Sequence, residues 1–445
     1  MEADSPSASQ QNETSPLRSV LLQDMTGRMQ ALLPDNAMLD LRAIHEETGR
    51  EMKAVNPNDQ DRLYASHRLS RLQAYPMLNH CTALLEESAA HDELTINSSE
   101  GEADVHQVPL ISLRDALLEH EHDLLEMKIA VPQHELQGSV PESDEKSDEE
   151  KIVASVQNFT SLRIKQRLEY TLEIPTLPQT AQRIIQLRAD PNAMVSDLAE
   201  IVESDPSLAA QVVSWAASPY YAVPGKIRSV QDAIVRVLGF DLVGNLALGL
   251  ALGKTLSMPK DKVDGITPYW TQSIYCSTLV EAIVKLIPPE LKPGKGLLYL
   301  SGLLHNFGYL VLAHIFPPHF SQVCRYMEAN PRISHMAIEN HLLQITREQI
   351  CGWLMRLWNM PEEVGVAIQY QHDPYYAGKH CAYPNLIFMA LRLLRKHGIG
   401  DAPAEEIPDF LYERFELDPD EVDRVVEKVL ESQDEISAIA SNFPS

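Results

Sequence analysis

Paired cysteines, long apolar runs and positive charge are all scarce in this chain. The five cysteines, Cys81, Cys276, Cys324, Cys351 and Cys381, are scattered and show no C-x-x-C spacing. That excludes a disulfide framework and a zinc ribbon, and points to buried thiols in a reducing compartment. No apolar run reaches the ~18 residues a spanning helix requires. The longest candidate, Val243 to Leu256, is interrupted by Asn245, Lys254 and several glycines. The stretch Met1 to Ser15 is rich in Ser, Gln, Glu and Pro, with neither a basic start nor an apolar core, so it does not read as a signal peptide. Lys and Arg number 37 against 63 Asp and Glu, a formal net charge of −26. A surface this acidic repels phosphate backbones and argues against bulk nucleic acid as a partner. The glycine patterns of P-loops, dinucleotide-binding turns and nucleophile elbows are also missing. Together these absences predict a cytoplasmic protein without a membrane segment.

What is present is enough chain for a large core. At 445 residues with 44% hydrophobic content, the sequence accommodates two or three globular domains. Residues 1–18 read as a polar, disordered tail. Residues 19–135 have mixed character. Strands are expected at Met38–Leu41, Cys81–Leu85, Glu93–Ile96 and Val108–Ile111, and a helix over Leu113–Leu125, giving a small α/β or α+β domain. Residues 136–152 form a solvated acidic linker, with six carboxylates between Gln137 and Lys151. From 153 to 445 helical periodicity dominates, and a large all-α domain with a C-terminal helical extension is predicted. Asp205-Pro206 and Asp418-Pro419 each supply an N-cap followed by proline at the first helical position. Gly239 ends a helix that Ser229 caps.

The chain centres on Ser301-Gly302-Leu303-Leu304-His305-Asn306-Phe307-Gly308, which lies between two apolar helical runs and is expected within one long helical stretch, 296–315. Several further motifs accompany it: Ile174-Pro175-Thr176-Leu177-Pro178, Leu198-Ala199-Glu200-Ile201-Val202 with Asp205-Pro206-Ser207-Leu208, Ile227-Arg228-Ser229-Val230, Tyr269-Trp270, and Trp358-Asn359-Met360-Pro361. Together they resemble the HDOD family, a non-catalytic branch related to the HD and HD-GYP phosphodiesterases, over roughly residues 165–375. Ala216-Ala217-Ser218 departs from the A-N-S of that family.

The resemblance implies where metal ligands would stand in a catalytic relative. The first histidine position falls on Gln272, the His-Asp pair on His305 and Asn306, and the next histidine near Arg347. The paired histidines fall on Gln371 and His372, and the last aspartate nearest Leu391. Only His305 and His372 keep an imidazole. Asparagine is a poor metal ligand, and Arg347 would put a positive charge where a cation should sit. We therefore expect no catalytic residues, no metal and no cofactor. The remnant pocket of Gln272, His305, Asn306, Arg347, Gln371 and His372 either binds an anion or nucleotide or is satisfied internally by backbone carbonyls and neighbouring side chains. Trp353 and Trp358 read as core. His335, Glu339 and His341 read as a surface helix face, and His120-Glu121-His122 as an exposed cluster.

Residues Leu41–Gly49, Arg71–Pro76 and Cys81–Glu87 resemble the C-terminal half of a YbaK/EbsC-type aminoacyl-tRNA deacylase domain. The half carrying the catalytic lysine has no counterpart, and Lys53 sits at the wrong place to substitute. The expected function is a bacterial-type regulatory protein whose degenerate helical domain binds a signalling partner or a nucleotide, with self-association plausible. The alternatives are a metal-dependent phosphohydrolase with unusual ligands and an aminoacyl-tRNA editing protein.

Overall fold

The computed structural model describes residues 17–56, 59–60, 62, 82–87, 93–96, 106–109, 124–136, 175–190, 192–217, 226–256, 259, 261–441 and 443. The chain divides into two compact units. The first comprises Met1–Pro141 together with Gln322–Ile333, and the second Glu142–Ser321 together with Ser334–Ser445.

The first unit is built on a sheet. Strands β1 (Leu17–Gln23) and β2 (Arg28–Pro34) form an antiparallel hairpin in register from Leu17↔Pro34 to Gln23↔Arg28. Its turn is held by Asp24, whose Oδ1 accepts from the backbone N–H groups of Thr26 (2.8 Å) and Gly27 (2.9 Å). Then follow β3 (Met38–Leu39), α1 (Leu41–Thr48), β4 (Lys53–Ala54), β5 (Thr82–Glu86), β6 (Glu93–Ile96), β7 (His106–Pro109), β8 (Leu124–Met127), β9 (Ala130–Val131) and the short α2 (Gln133–Leu136). The main sheet runs β7-β6-β1-β2-β5-β8, with β4 paired to β1, while β3 and β9 form a separate ribbon. Helix α1 shows its sequence logic at both ends. Asp40 caps it by accepting from the N–H groups of Arg42 and Ala43, and Gly49 closes it at φ 70.

The four expected strands correspond to β3, β5, β6 and β7, but β3 stops at Leu39, because Asp40 caps α1 and Leu41 opens it. The hairpin β1–β2 was not foreseen, and it corrects the tail: β1 begins at Leu17, inside the stretch read as disordered. Leu21, Leu22, Leu32 and Leu33 are buried on this hairpin. Its apolar triplets, Val20-Leu21-Leu22 and Ala31-Leu32-Leu33, are short and flanked by Arg18, Ser19 and Gln30, so no period-2 alternation marks them. The helix expected over Leu113–Leu125 is corrected at its end, since Leu124 and Leu125 belong to β8. The linker read as starting at 136 is corrected there, since Leu136 is buried and ends α2; residues 137–152, the helix's other residues and the His120-Glu121-His122 cluster lie outside the described residues.

The second unit is helical: α3 (Gln179–Ala189), α4 (Val195–Glu203), α5 (Pro206–Ala216), α6 (Val230–Ala233, continued by a π-turn Ile234–Leu238), α7 (Phe240–Gly253), α8 (Tyr269–Leu286), α9 (Lys295–Leu304), α10 (Phe307–Ile315), α11 (Pro317–Ala329), α12 (His335–Leu343), α13 (Arg347–Leu357), α14 (Glu362–Gln369), α15 (Ala382–Lys396), α16 (Asp409–Arg414), α17 (Pro419–Glu431) and α18 (Gln433–Ala440). Residues 322–329 of α11 group with the first unit. Asp205, Ser229 and Asp418 cap their helices as expected, and Gly239 terminates the π-turn at φ 81. Helix α7 is buried from Val243 to Gly253 and forms a core rod. Among the described residues no single helix is long and apolar enough to cross a membrane; α9 and α10 pass that test only as a bent pair.

The single helix expected over 296–315 is in fact two, bent by 40° at His305-Asn306. The His305 Nδ1 contacts the Gly302 carbonyl at 2.7 Å, the acceptor the helical ladder would otherwise use. Two glycines then bring other elements close. A Cβ on Gly302 would lie 2.8 Å from the Ser277 Cα of α8, and one on Gly308 2.1 Å from the Arg347 carbonyl oxygen at the start of α13.

Candidate functional site: a buried polar cluster in the helical unit

The bend between α9 and α10 opens onto a polar cluster. Helix α8 contributes Gln272, the bend contributes His305 and Asn306, and the N-termini of α12 and α13 contribute His335, Arg347 and Glu348. The turn after α14 adds Gln371 and His372, and the turn after α15 adds Gly400, Asp401 and Ala402. With Leu391, Leu394 and Ile399, and with Arg347 standing behind the wall, these residues surround a cavity of about 10 Å3, room for on the order of one water.

Arg347 is wholly engaged. It donates from Nε to Glu339 Oε1 (2.6 Å), from its backbone N–H to Glu339 Oε2 (2.8 Å), and from Nη1 to Asp401 Oδ2 (2.6 Å) and Asn306 Oδ1 (3.1 Å). The Tyr309 ring lies 5.3 Å from its guanidinium carbon. Burial works against its charge, but Glu339 and Asp401 outweigh it and raise its pKa further. Burial likewise opposes ionisation of Asp401, yet Arg347 and His335 hold that carboxyl well below the usual carboxylate range.

Glu348 faces the imidazoles. Its Oε1 lies 2.8 Å from His335 Nε2 and 3.4 Å from His372 Nε2. The His335 Nδ1 points at the Asp401 carbonyl oxygen, 3.4 Å away. Arg392 reaches His372 Nδ1 with Nη1 (2.9 Å) and Glu405 with Nη2 (2.7 Å). Burial, the largest influence on His372, pushes its pKa down to about 4. Burial also lowers His305, whose Nδ1–H is taken by the Gly302 carbonyl. For His335, burial and Arg347 push down, but Glu348 and Asp401 prevail and its pKa is raised.

Of the residues expected to form the pocket, Gln272, His305, Asn306, Gln371 and His372 line the cavity. Arg347 does not present its charge to a ligand, because two carboxylates and Asn306 consume it. The reading of His335 and Glu339 as a surface face is overturned: they are 3% and 0% exposed, while His341 alone of the three is exposed. Their spacing is that of an exposed ion-pair face, and only tertiary packing turns it inward. Trp358 is buried and donates from Nε1 to the Pro175 carbonyl (3.1 Å), as a core residue. Sequence reasoning missed Glu348, Asp401, Arg392 and Glu405. A signal existed for Asp401: Gly398 (φ 73) and Gly400 (φ 88) turn the chain back after α15 and aim the next residue at the cluster.

The ligand set implied by an HD-type site does not fit a metal here. The Gln272 Nε2 donates to the Thr267 carbonyl (2.5 Å), and the Gln371 Nε2 to the His305 carbonyl (2.8 Å). Asn306 accepts from Arg347, and Leu391 has no ligand atom. A cation at that locus would sit beside a guanidinium, and two unit charges ~4 Å apart repel by about 4 kcal/mol at an effective dielectric of ~20, twice that for a dication. A different set, His335, Glu348 and His372, does bring three ligand atoms within 4.8 Å of one another.

Comparison with known proteins places this geometry among relatives. The model of the HDOD domain matches residues 174–374. Over nearly the whole chain the protein is similar to a crystal structure from Marinobacter aquaeolei VT8, provisionally named a signal transduction protein. The two share 41% identity with a TM-score of 0.84, covering 98% of this chain and 94% of that one. An HDOD domain protein of unknown function from Geobacter sulfurreducens shares 24% identity, covering 65% of this chain and 97% of its own, with a TM-score of 0.51, a likeness of fold. An uncharacterized protein of Treponema pallidum (strain Nichols) is 23% identical over 274 residues, and the chain spans about half, 51%, of the length of that curated relative. The deacylase-like resemblance of the first unit receives no support from these comparisons.

Proposed function

Because this chain belongs to the HDOD domain family, we propose that it is a non-catalytic signalling protein whose helical unit docks a partner protein. One observation carries the reading. The guanidinium of Arg347 stands between Glu339, Asp401 and Asn306, near the position where the resemblance puts a metal-ligating histidine in a hydrolytic relative. Such an arrangement neutralises itself and leaves no Lewis acid for a phosphate ester at that locus. The name of the Marinobacter relative supports a place in signal transduction. A partner protein is favoured over a nucleotide by size, since a cavity of about 10 Å3 accommodates neither a base nor a phosphate.

The test is turnover and assembly measured on the full chain. Phosphomonoesters, cyclic nucleotides and cyclic dinucleotides, each with Mn2+ or Fe2+, are expected to stay intact. The chain incubated in lysate of its own cell is expected to elute in a complex of fixed stoichiometry. Hydrolysis that disappears in His305→Ala would overturn the proposal, as would elution of the chain alone at all concentrations.

A further inference from the structure

We propose that the cavity beside Arg347 is a binding site for one divalent cation of the zinc–cobalt–manganese class, held by His335, Glu348 and His372. The set shares His372 with the HD-type ligand positions but takes its other two ligands, His335 and Glu348, from elsewhere, and it stands independently of partner docking.

Three observations converge. First, the Nε2 atoms of His335 and His372 and the carboxylate of Glu348 form a ring of ligand atoms within 4.8 Å. Ligand atoms around one ion at ~2.0–2.2 Å stand roughly 3–3.5 Å apart in tetrahedral geometry. The His335–Glu348 and His372–Glu348 separations of 2.8 and 3.4 Å already have that scale.

Second, the cavity is lined by acceptors without donors. The Oε1 of Gln272, the Oε1 of Gln371 and the Oε2 of Glu348 are buried without a hydrogen-bond partner. These residues are 4%, 2% and 4% exposed. Both amides are oriented by their NH2 groups, which donate to the carbonyls of Thr267 and His305. Their oxygens are thereby left free to face the cavity. Unpaired buried oxygens cost about 1–3 kcal/mol each, so three at one cavity select a cation or a donor ligand and reject an anion.

Third, the charge balance suits a cation. Four carboxylates, Glu339, Glu348, Asp401 and Glu405, oppose two guanidinia, Arg347 and Arg392. The charge of Arg347, which opposes a cation, is offset by its ion pairs with Glu339 and Asp401. The His335 Nδ1 meets the Asp401 carbonyl, the outer contact that fixes a metal-binding imidazole with Nε2 forward. The imidazole-rich donor set favours this class over Mg2+ or Ca2+.

One residue opposes binding. Arg392 donates to His372 Nδ1, so His372 offers Nε2 to an ion only when that contact breaks. Arg392 already holds Glu405, a partner onto which it can swing. It thus acts as a positioning residue that weakens the site.

The experiment titrates chelator-stripped full chain with Co2+, followed by its d–d absorption and by calorimetry, then soaks crystals in Co2+. Saturation at one ion per chain is expected, with an anomalous peak between His335 and Glu348. Glu348→Gln and His335→Gln should each weaken binding by at least about 100-fold, and Arg392→Gln should tighten it several-fold. Circular dichroism confirms folding of each variant. If a variant does not fold, the wild-type stoichiometry and the anomalous peak decide. Absence of saturable binding, unchanged affinity in both ligand variants, or only an ordered water at the cavity would overturn the proposal.

Discussion

Arg347 shows how a buried charge is held by the groups around it. Its guanidinium supplies a positive charge that the buried carboxylates of Glu339 and Asp401 demand. Removing one member of such a pair leaves the others buried and unpaired. Arg347→Met is therefore expected to lower unfolding free energy by about 3–5 kcal/mol, measured by urea denaturation. The same cluster sets the acid response. His372 titrates near 4 when folded, whereas an unfolded histidine does so near ~6.5. The unfolded chain thus binds more protons between those values, and stability is lost as pH falls through that window, by at most on the order of 3 kcal/mol. Glu348 and Asp401, held low, add a loss below pH ~4. His335 has the opposite sign: its pKa is raised, so its contribution is present below pH ~6.5 and is lost as pH rises through its folded value. In chelator-containing buffer the thermal midpoint should peak near pH ~6.5. His372→Gln should flatten the acid limb and His335→Gln the alkaline one.

At the scale of elements, two glycines decide whether the helices can meet. The Gly308 and Gly302 positions would place a Cβ 2.1 Å from a carbonyl oxygen and 2.8 Å from a Cα, and backbone cannot retreat as a side-chain tip can. Gly308→Ala is expected to abolish cooperative unfolding or to cost more than ~3 kcal/mol, and Gly302→Ala somewhat less. Gly365, on α14, is the control. Its added Cβ would meet only Met355 Cβ at 3.8 Å, so Gly365→Ala should be neutral or stabilise by up to ~1 kcal/mol. Circular dichroism melts of the three variants distinguish the cases.

At the scale of the molecule, the first unit is assembled from segments far apart in the chain. Arg18 donates from Nη2 to Asn330 Oδ1 (2.5 Å) and to the Ala37 carbonyl (3.1 Å), and from Nη1 to the Ala329 carbonyl (3.1 Å). Asn330 also accepts from Leu39 N–H (2.6 Å) and donates to the carbonyls of Leu39 and Tyr326. Burial pushes Arg18 down to about 10, against the opposing pull of Asp35. A fragment of residues 1–141, which lacks Gln322–Ile333, is expected to show no cooperative thermal transition. Asn330→Ala in the full chain should destabilise the unit by about 2–4 kcal/mol. A fragment that folds cooperatively would refute this.

The helical architecture was largely legible in the chain. Capping residues, proline starts and glycine stops act within a few positions, and their effects survive any tertiary context, as at Asp205, Ser229, Gly239 and Asp418. The identities of Asn306, Arg347 and Gln371 were legible too, and the resemblance implies that they stand where catalytic relatives carry acidic or imidazole groups. The hairpin β1–β2 was not, since its apolar triplets are too short to show a period. Nor were the inward turn of His335 and Glu339, the arrival of Asp401, or the recruitment of Gln322–Ile333 to the first unit. Burial of a charge is settled by which opposite charge arrives from elsewhere in the chain, and only folding brings Arg347 to Glu339 and Asp401.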